Sequence, residues 1–131
     1  MLKVTRLADY AVSIITCFSG TQDEMLSSQD IIGKTRLKQA TVNKILSKLV
    51  KKEFLEAFRG VNGGYKLKKD IANISIKELI EAIEGPVALT DCLDKDAKNC
   101  NLFDVCNTKK TWSIINAAVK NTLDGIKIKD I

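Results

Sequence analysis

The stretch from Phe54 to Lys68 restricts the fold more than any other: two short β-like runs, Phe54 to Arg59 and Tyr65 to Lys68, flank Gly60-Val61-Asn62-Gly63-Gly64. Glycines tolerate positive φ and close backbone approach, so the tip can turn tightly and the ribbon can press on a neighbour. Taken alone the glycines mark a plain hairpin. The segments before them decide what that hairpin is for.

Leu7, Ala11, Ile14, Ile15 and Phe18 recur at helical spacing after Thr5, whose hydroxyl suits an N-cap. A polar interval, Ser19 to Glu24, follows. Ser27 then opens a shorter helix that carries Ile31 and Ile32 inward, and Gly33 is expected to end it. A third helix is predicted from about Lys38 to Lys51, because Val42, Ile45, Leu46, Leu49 and Val50 fall on one face. The opposite face carries Ala40, Thr41, Asn43, Lys44, Ser47 and Lys48. Small residues allow close approach to base edges, Asn and Thr exchange hydrogen bonds with them, and Lys neutralises phosphate or binds guanine acceptors. By itself such a face is equally the solvated side of an ordinary helix.

Helix, helix and basic hairpin in succession favour a winged helix-turn-helix that binds DNA. The ribbon is then the wing, with Arg59 at its base placed for a minor groove, Asn62 at its tip, and Lys66, Lys68 and Lys69 on its return. Charge supports the same partner. The chain carries +5 overall, yet the segment Lys34 to Lys69 holds eleven Lys or Arg against two Glu, a local +9 that leaves the rest at −4. A field of that sign attracts and orients a polyanion over about a Debye length.

Beyond the wing, Ser75-Ile76-Lys77-Glu78 reads as a capping box, Ile76, Leu79, Ile80 and Ile83 as a buried stripe, and Gly85-Pro86 as a stop. Three of the four cysteines follow within fifteen residues: Cys92, Cys100 and Cys106, separated by seven and five residues. The last long helix is expected from about Thr108 to Leu123, roughly 24 Å long at about 1.5 Å per residue. Its stripe is Trp112, Ile115, Val119 and Leu123, widened by Ile114 and Ala118. Packing on the domain's own core and pairing with a second copy both satisfy that stripe; pairing suits a reader of palindromic sites.

The expected organisation is a DNA-binding domain over residues 1–86, a cysteine loop over 87–107, and a dimerisation helix and tail over 108–131. No run reaches the roughly 18 to 20 apolar residues of a membrane span, and Lys3, Arg6 and Asp9 interrupt any signal peptide. A cytoplasmic protein without membrane contact is expected. In a reducing compartment clustered cysteines bind metal or sense redox state more often than they form structural disulfides. Zinc competes as the metal, although structural zinc sites place cysteines two to four residues apart, closer than here. A metal-free thiol switch stays open. With no His and no clustered acid, base or nucleophile, an enzyme is not expected. Cys17, beside the first helix's apolar stripe, reads as a buried structural thiol.

These residues together resemble the Rrf2 family of bacterial winged-helix transcriptional regulators, of the IscR and NsrR type. The resemblance is carried by Leu7-Ala8-Asp9-Tyr10-Ala11-Val12, by Arg59-Gly60-Val61-Asn62-Gly63-Gly64-Tyr65, by Glu81-Ala82-Ile83-Glu84-Gly85-Pro86 and by the three cysteines after it. It implies a mainly α fold with a small β-wing, a long C-terminal dimerisation helix, and a homodimer on a palindromic operator. It also implies an iron–sulfur cluster on Cys92, Cys100 and Cys106, with [2Fe–2S] favoured over [4Fe–4S]. Residues 84–92 look most like the branch controlling the SUF cluster-assembly genes, which implies a repressor sensing cluster or redox status; a cluster carrier would have no use for a basic helix and wing. Two departures stand out. IscR-like members have a His where this chain has Lys109, and their first cysteine gap is five residues. The fourth ligand must come from elsewhere, and Asp9 matches the first-helix Asp that NsrR-like members contribute from the partner subunit. A surface carboxylate stabilised by the helix dipole is the plain alternative for Asp9.

Overall fold

The computed structural model describes residues 1–20, 23–94 and 100–131; residues 21–22 of the polar interval and 95–99 of the cysteine loop lie outside the described set. The elements run α1 (Arg6–Thr16), α2 (Ser28–Thr35), α3 (Gln39–Lys51), β1 (Leu55–Phe58), β2 (Gly64–Leu67), α4 (Ile76–Glu84) and α5 (Lys109–Gly125). Short 3-10 turns lie at Ile71–Asn73, Asp91–Leu93 and Ile128–Asp130. This is the mainly helical architecture with a two-stranded antiparallel ribbon that the patterning predicts.

Helix starts follow local chemistry. Thr5 accepts a hydrogen bond from the Ala8 N–H at 3.2 Å and donates to Glu84 Oε1 at 2.5 Å, so the cap also ties α1 to the end of α4. Ser75 and Glu78 form the expected reciprocal box at α4, and Ser27 forms a second one with Asp30 at α2. Gly33 does not end α2. The helix runs through it to Thr35 and stops where Arg36 enters the left-handed region at φ 59°. A non-glycine residue pays of order 1 kcal/mol for that conformation; the Arg36 N–H is satisfied by Ile32 O at 2.7 Å.

The apolar faces of α1, α2, α3 and α4 meet in one core. Ile14, Ile15, Phe18, Ile31, Ile45, Leu46, Leu49 and Leu79 are fully buried. Each such side chain contributes about 1.5–3 kcal/mol of burial before chain entropy is set against it. The helix-turn-helix pair α2–α3 is therefore fixed on a rigid body.

The wing is anchored on that body from both sides. β1 and β2 pair with Leu55 opposite Leu67 and Phe58 opposite Gly64. A third rung comes from the segment before α2: Leu26 N–H donates to Tyr65 O at 2.9 Å, and Tyr65 N–H to Leu26 O at 2.8 Å. A Cβ at Gly64 would lie 2.7 Å from Leu26 O, so a glycine is required for this approach.

The chain end closes the same core. Ile128 is buried between α1 and the Ile71–Ile74 segment, its N–H donating to Ile74 O at 2.9 Å, while Ile76 N–H donates to Ile126 O at 3.0 Å. Residues after α5 are thus part of the packing of the body formed by α1 to α4. α5 itself extends to Gly125, two residues beyond the expected end.

α5 packs on α4 with its polar side. Asn116 is its one buried residue, Lys120 pairs with Glu81 at 3.8 Å, and Asp124 accepts from Ser75 Oγ at 3.0 Å. The apolar stripe faces outward, with Ile114 62% and Trp112 40% exposed. Among the described residues no helix is long and apolar enough to cross a membrane.

Candidate functional site

Two regions carry the chemistry expected of the chain. The first is the outer face of α3 with the wing. Ala40, Asn43, Lys44 and Ser47 are exposed and Thr41 is half-buried, while Val42, Ile45, Leu46 and Leu49 hold the opposite face in the core. Arg59 and Asn62 are exposed on the wing. Lys48 is turned from this set: its ammonium donates to Ile83 O at 3.1 Å, satisfying one of the free carbonyls at the end of α4. Its position on the helix, between the two faces, accounts for this.

Sequence patterning passed over Arg36 and Lys38. Both are exposed at the turn into α3, whose N-cap, Lys38, provides no side-chain acceptor and whose first turn holds no acidic residue. The backbone N–H groups opening α3 are therefore flanked by cations, which suits a phosphate oxygen. The missing cap was the available signal, since Ser, Thr, Asp or Asn stands before the other α-helices of the body.

The second region is the segment between α4 and α5. Cys92, Cys100 and Cys106 are free thiols, each half-buried. Cys92 lies in the Asp91–Leu93 turn with its Sγ 3.1 Å from Thr90 Oγ1. Cys106 lies two residues before Thr108, the N-cap of α5, its Sγ 3.4 Å from Thr108 Oγ1. The Thr108 hydroxyl first and its backbone N–H second hold the Cys106 thiol below its ordinary pKa. Lys109 sits over the Phe103 ring, its ammonium 3.2 Å from the centroid.

The cysteines are not gathered. Among the described residues no three of Cys, Asp and Glu stand together as a metal-holding group. Asp9 lies exposed in the first turn of α1 and is not brought into a ligand set with them. Cys17 is half-buried, its Sγ donating to Ser13 O at 3.4 Å, and burial pushes its thiol pKa up. Its partial exposure departs from the buried thiol that the sequence leads one to expect, while the raised pKa disfavours the reactive thiolate.

The loop is linked to α5 by Asn116. Its Oδ1 accepts from Leu89 N–H at 3.0 Å and its Nδ2 donates to Val87 O at 3.1 Å. Outward of this contact Ile114, Ile115, Ala118, Val119, Thr122 and Leu123 line an apolar groove of about 380 Å³. Val119 and Leu123 also border a second hollow, which the chain's first five residues and Pro86 to Leu89 enclose.

Known proteins share this fold. The chain is 26% identical over 132 residues to the HTH-type transcriptional regulator NsrR of Oceanobacillus iheyensis, covering 99% of this chain and 89% of that one. It is 24% identical to the HTH-type transcriptional regulator IscR of Xenorhabdus nematophila, covering 99% and 79%. The structure of CymR, the global cysteine regulator of B. subtilis, superposes with a TM-score of 0.77 at 23% identity, covering 99% of this chain and 95% of that one. Residues 4–131 match the model of a family described as iron-dependent transcriptional regulators. A winged helix-turn-helix body with this matching span makes the chain a member of the Rrf2 family, DNA-binding regulators of transcription and not enzymes.

Proposed function

We propose that this protein is a cytoplasmic homodimeric repressor of iron–sulfur assembly (SUF) genes, whose grip on a palindromic operator is set by an iron–sulfur cluster on Cys92, Cys100 and Cys106. The observation that carries this reading is the position of the three free thiols. They lie between α4, which belongs to the DNA-binding body, and α5, whose apolar side is open. Anything that orders this segment acts on the relation between the two.

The donor chemistry fits such a group. Thiolates are the usual ligands of iron–sulfur clusters, and the start of α5 already favours the thiolate of Cys106. Asp9 from a partner subunit supplies a fourth, oxygen donor, and [2Fe–2S] is the favoured cluster. When bound, the cluster supplies a redox- and oxygen-sensitive centre. Because the donors stand apart here, ligation and ordering of the segment form one event, and binding energy becomes folding energy. A hundredfold change in DNA affinity needs about 2.7 kcal/mol of differential binding, well within that supply.

On DNA, α3 enters the major groove with Ala40, Thr41, Asn43 and Lys44, while Arg36 and Lys38 hold the backbone and Arg59 and Asn62 carry the wing into the minor groove. The open stripe of α5 supports pairing with a second copy, because exposed large apolar side chains on a helix whose polar side is already packed have no other cover. Domain roles follow: residues 1–86 read DNA, 87–107 sense, and 108–131 dimerise while returning Ile128 to the body.

Anaerobic purification, iron and sulfide determination, and binding to duplex DNA with and without the cluster test the proposal together. A visible chromophore that disappears in Cys92→Ala, Cys100→Ala and Cys106→Ala, with a matching change in DNA affinity, is expected. The separation of the cysteines favours one other reading, a metal-free thiol switch through Cys106. Protein that stays iron-free after reconstitution but changes DNA affinity with oxidation establishes that reading instead.

A further inference from the structure

Val61 is fully exposed, at 104% of its reference area. On the wing it is joined by Phe58, which is 40% exposed and lies beneath the Lys66 ammonium; most other exposed apolar side chains lie on α5, at the first residues and in the cysteine loop. A side chain wholly in water contributes nothing to packing, and this one sits between Arg59 and Asn62 on the element that bears the wing's polar contacts.

Its position is fixed by the backbone beneath it. Gly60 takes φ +107°, Gly63 N–H donates to Gly60 O at 3.0 Å to close the turn, and a Cβ on Gly63 would strike Phe58 O. Below the turn, β2 is held by the Leu26–Tyr65 pair of hydrogen bonds. Val61 is therefore presented by a preformed tip, so little ordering entropy is lost when the tip meets a ligand.

We propose that Val61 is the residue by which the wing selects base pairs, its two methyl groups resting on the minor-groove floor and rejecting G·C. The inference rests on the reading of Arg59 as a minor-groove contact. A·T pairs present only the adenine N3 and thymine O2 acceptors there, whereas G·C adds the guanine N2 amino group, which protrudes into the groove. Methyl groups laid on that floor exclude water and provide no acceptor, so the amino donor is left unpaired. Arg59 and Asn62 on either side supply donors for the N3 and O2 acceptors and for phosphate. An apolar side chain used in a minor groove beside Arg and Asn follows the chemistry of minor-groove readers.

The experiment uses the full-length protein and a palindromic duplex selected from a randomised pool. Each A·T pair around the half-sites is replaced in turn by G·C and by inosine·cytosine. Inosine lacks the N2 amino group, so inosine·cytosine has the minor groove of A·T and the major groove of G·C. At the pair beneath the wing, G·C weakens binding by roughly tenfold and inosine·cytosine binds like A·T. Val61→Thr, whose hydroxyl accepts from the amino group, and Val61→Gly both bring the ratio toward one. The inference is overturned if no pair shows this pattern, or if the ratio survives in both variants. Failure of the underlying wing assignment is read separately, as an Arg59→Ala protein that binds like wild type at fixed salt.

Discussion

Asn116 and Leu89 are joined by a hydrogen bond of 3.0 Å from the Leu89 N–H to Asn116 Oδ1, and the same amide returns a bond to Val87 O at 3.1 Å. One side chain thus satisfies two backbone groups of the segment entering the cysteine loop. Asn116→Leu leaves both without partners beneath α5, at a cost of about 1–3 kcal/mol for an unsatisfied buried group. Asn116→Asp keeps the acceptor and loses the donor, so urea denaturation is expected to rank wild type above Asp and Asp above Leu.

Ile128 is buried at 1% exposure while Ile131, three residues on, is 67% exposed. Ile128→Ala is expected to destabilise the body by about 2–4 kcal/mol through lost burial and the cavity left behind. Ile131→Ala should stay within about 0.5 kcal/mol. Equal midpoints in denaturant for the two variants would place the tail outside the cooperative unit.

Lysines on α3 divide into two kinds. Lys44 is exposed, and Lys44→Ala is expected to reduce the slope of log affinity against log salt by about 1, as loss of one phosphate contact does. Lys48 is bound to Ile83 O. Lys48→Ala should leave the salt slope in place and lower the melting temperature instead, because a carbonyl at the end of α4 loses its partner.

The outward stripe of α5 gives a test of assembly that spares the fold. Ile114→Glu and Ile115→Glu change side chains that are 62% and 37% exposed in the single chain. Sedimentation should find monomers with unaltered far-ultraviolet circular dichroism, and affinity for a two-half-site duplex should fall toward that for a single half-site. Dimers persisting in both variants would move the interface elsewhere.

Asp30 provides a pH test. The Ser27 backbone N–H and then its hydroxyl hold the Asp30 carboxyl below the ordinary carboxylate range. A carboxylate depressed in the folded state contributes stability that is present above its unfolded pKa and lost as pH falls through its folded pKa. Melting temperatures of wild type and Asp30→Asn should therefore differ at neutral pH and converge at acid pH.

Much of the body was readable because helix periodicity and capping are local. Thr5, Ser27, and Ser75 with Glu78 each mark a start, and the spacing of Val42, Ile45, Leu46 and Leu49 marks the buried face of α3. Other features depend on partners distant in sequence. The Leu26–Tyr65 rung is a single bridge with no periodicity to betray it. Gly33 reads as a stop, yet a glycine tolerates a helix interior, and the turn is made by Arg36 at the cost of a left-handed backbone. The stripe on α5 is visible, but a stripe does not say what it faces; Asn116, Lys120 and Asp124 take the inner side and leave much of the stripe off the chain's own core. The cysteines were conspicuous in spacing, whereas their mutual distance depends on a loop path that spacing does not encode.

The two attachments of α5 differ in kind. Near its end Asp124 meets Ser75 Oγ, and Ile128 is sunk into the body; near its start the chain leads back through Cys106. The middle is tied as well, by Asn116 to Val87 and Leu89, so the arm from Thr108 to Asn116 is the part held least. From Thr108 to Asn116 that arm spans roughly 12 Å at about 1.5 Å per residue, so an ångström-scale shift at Cys106 corresponds to a tilt of a few degrees.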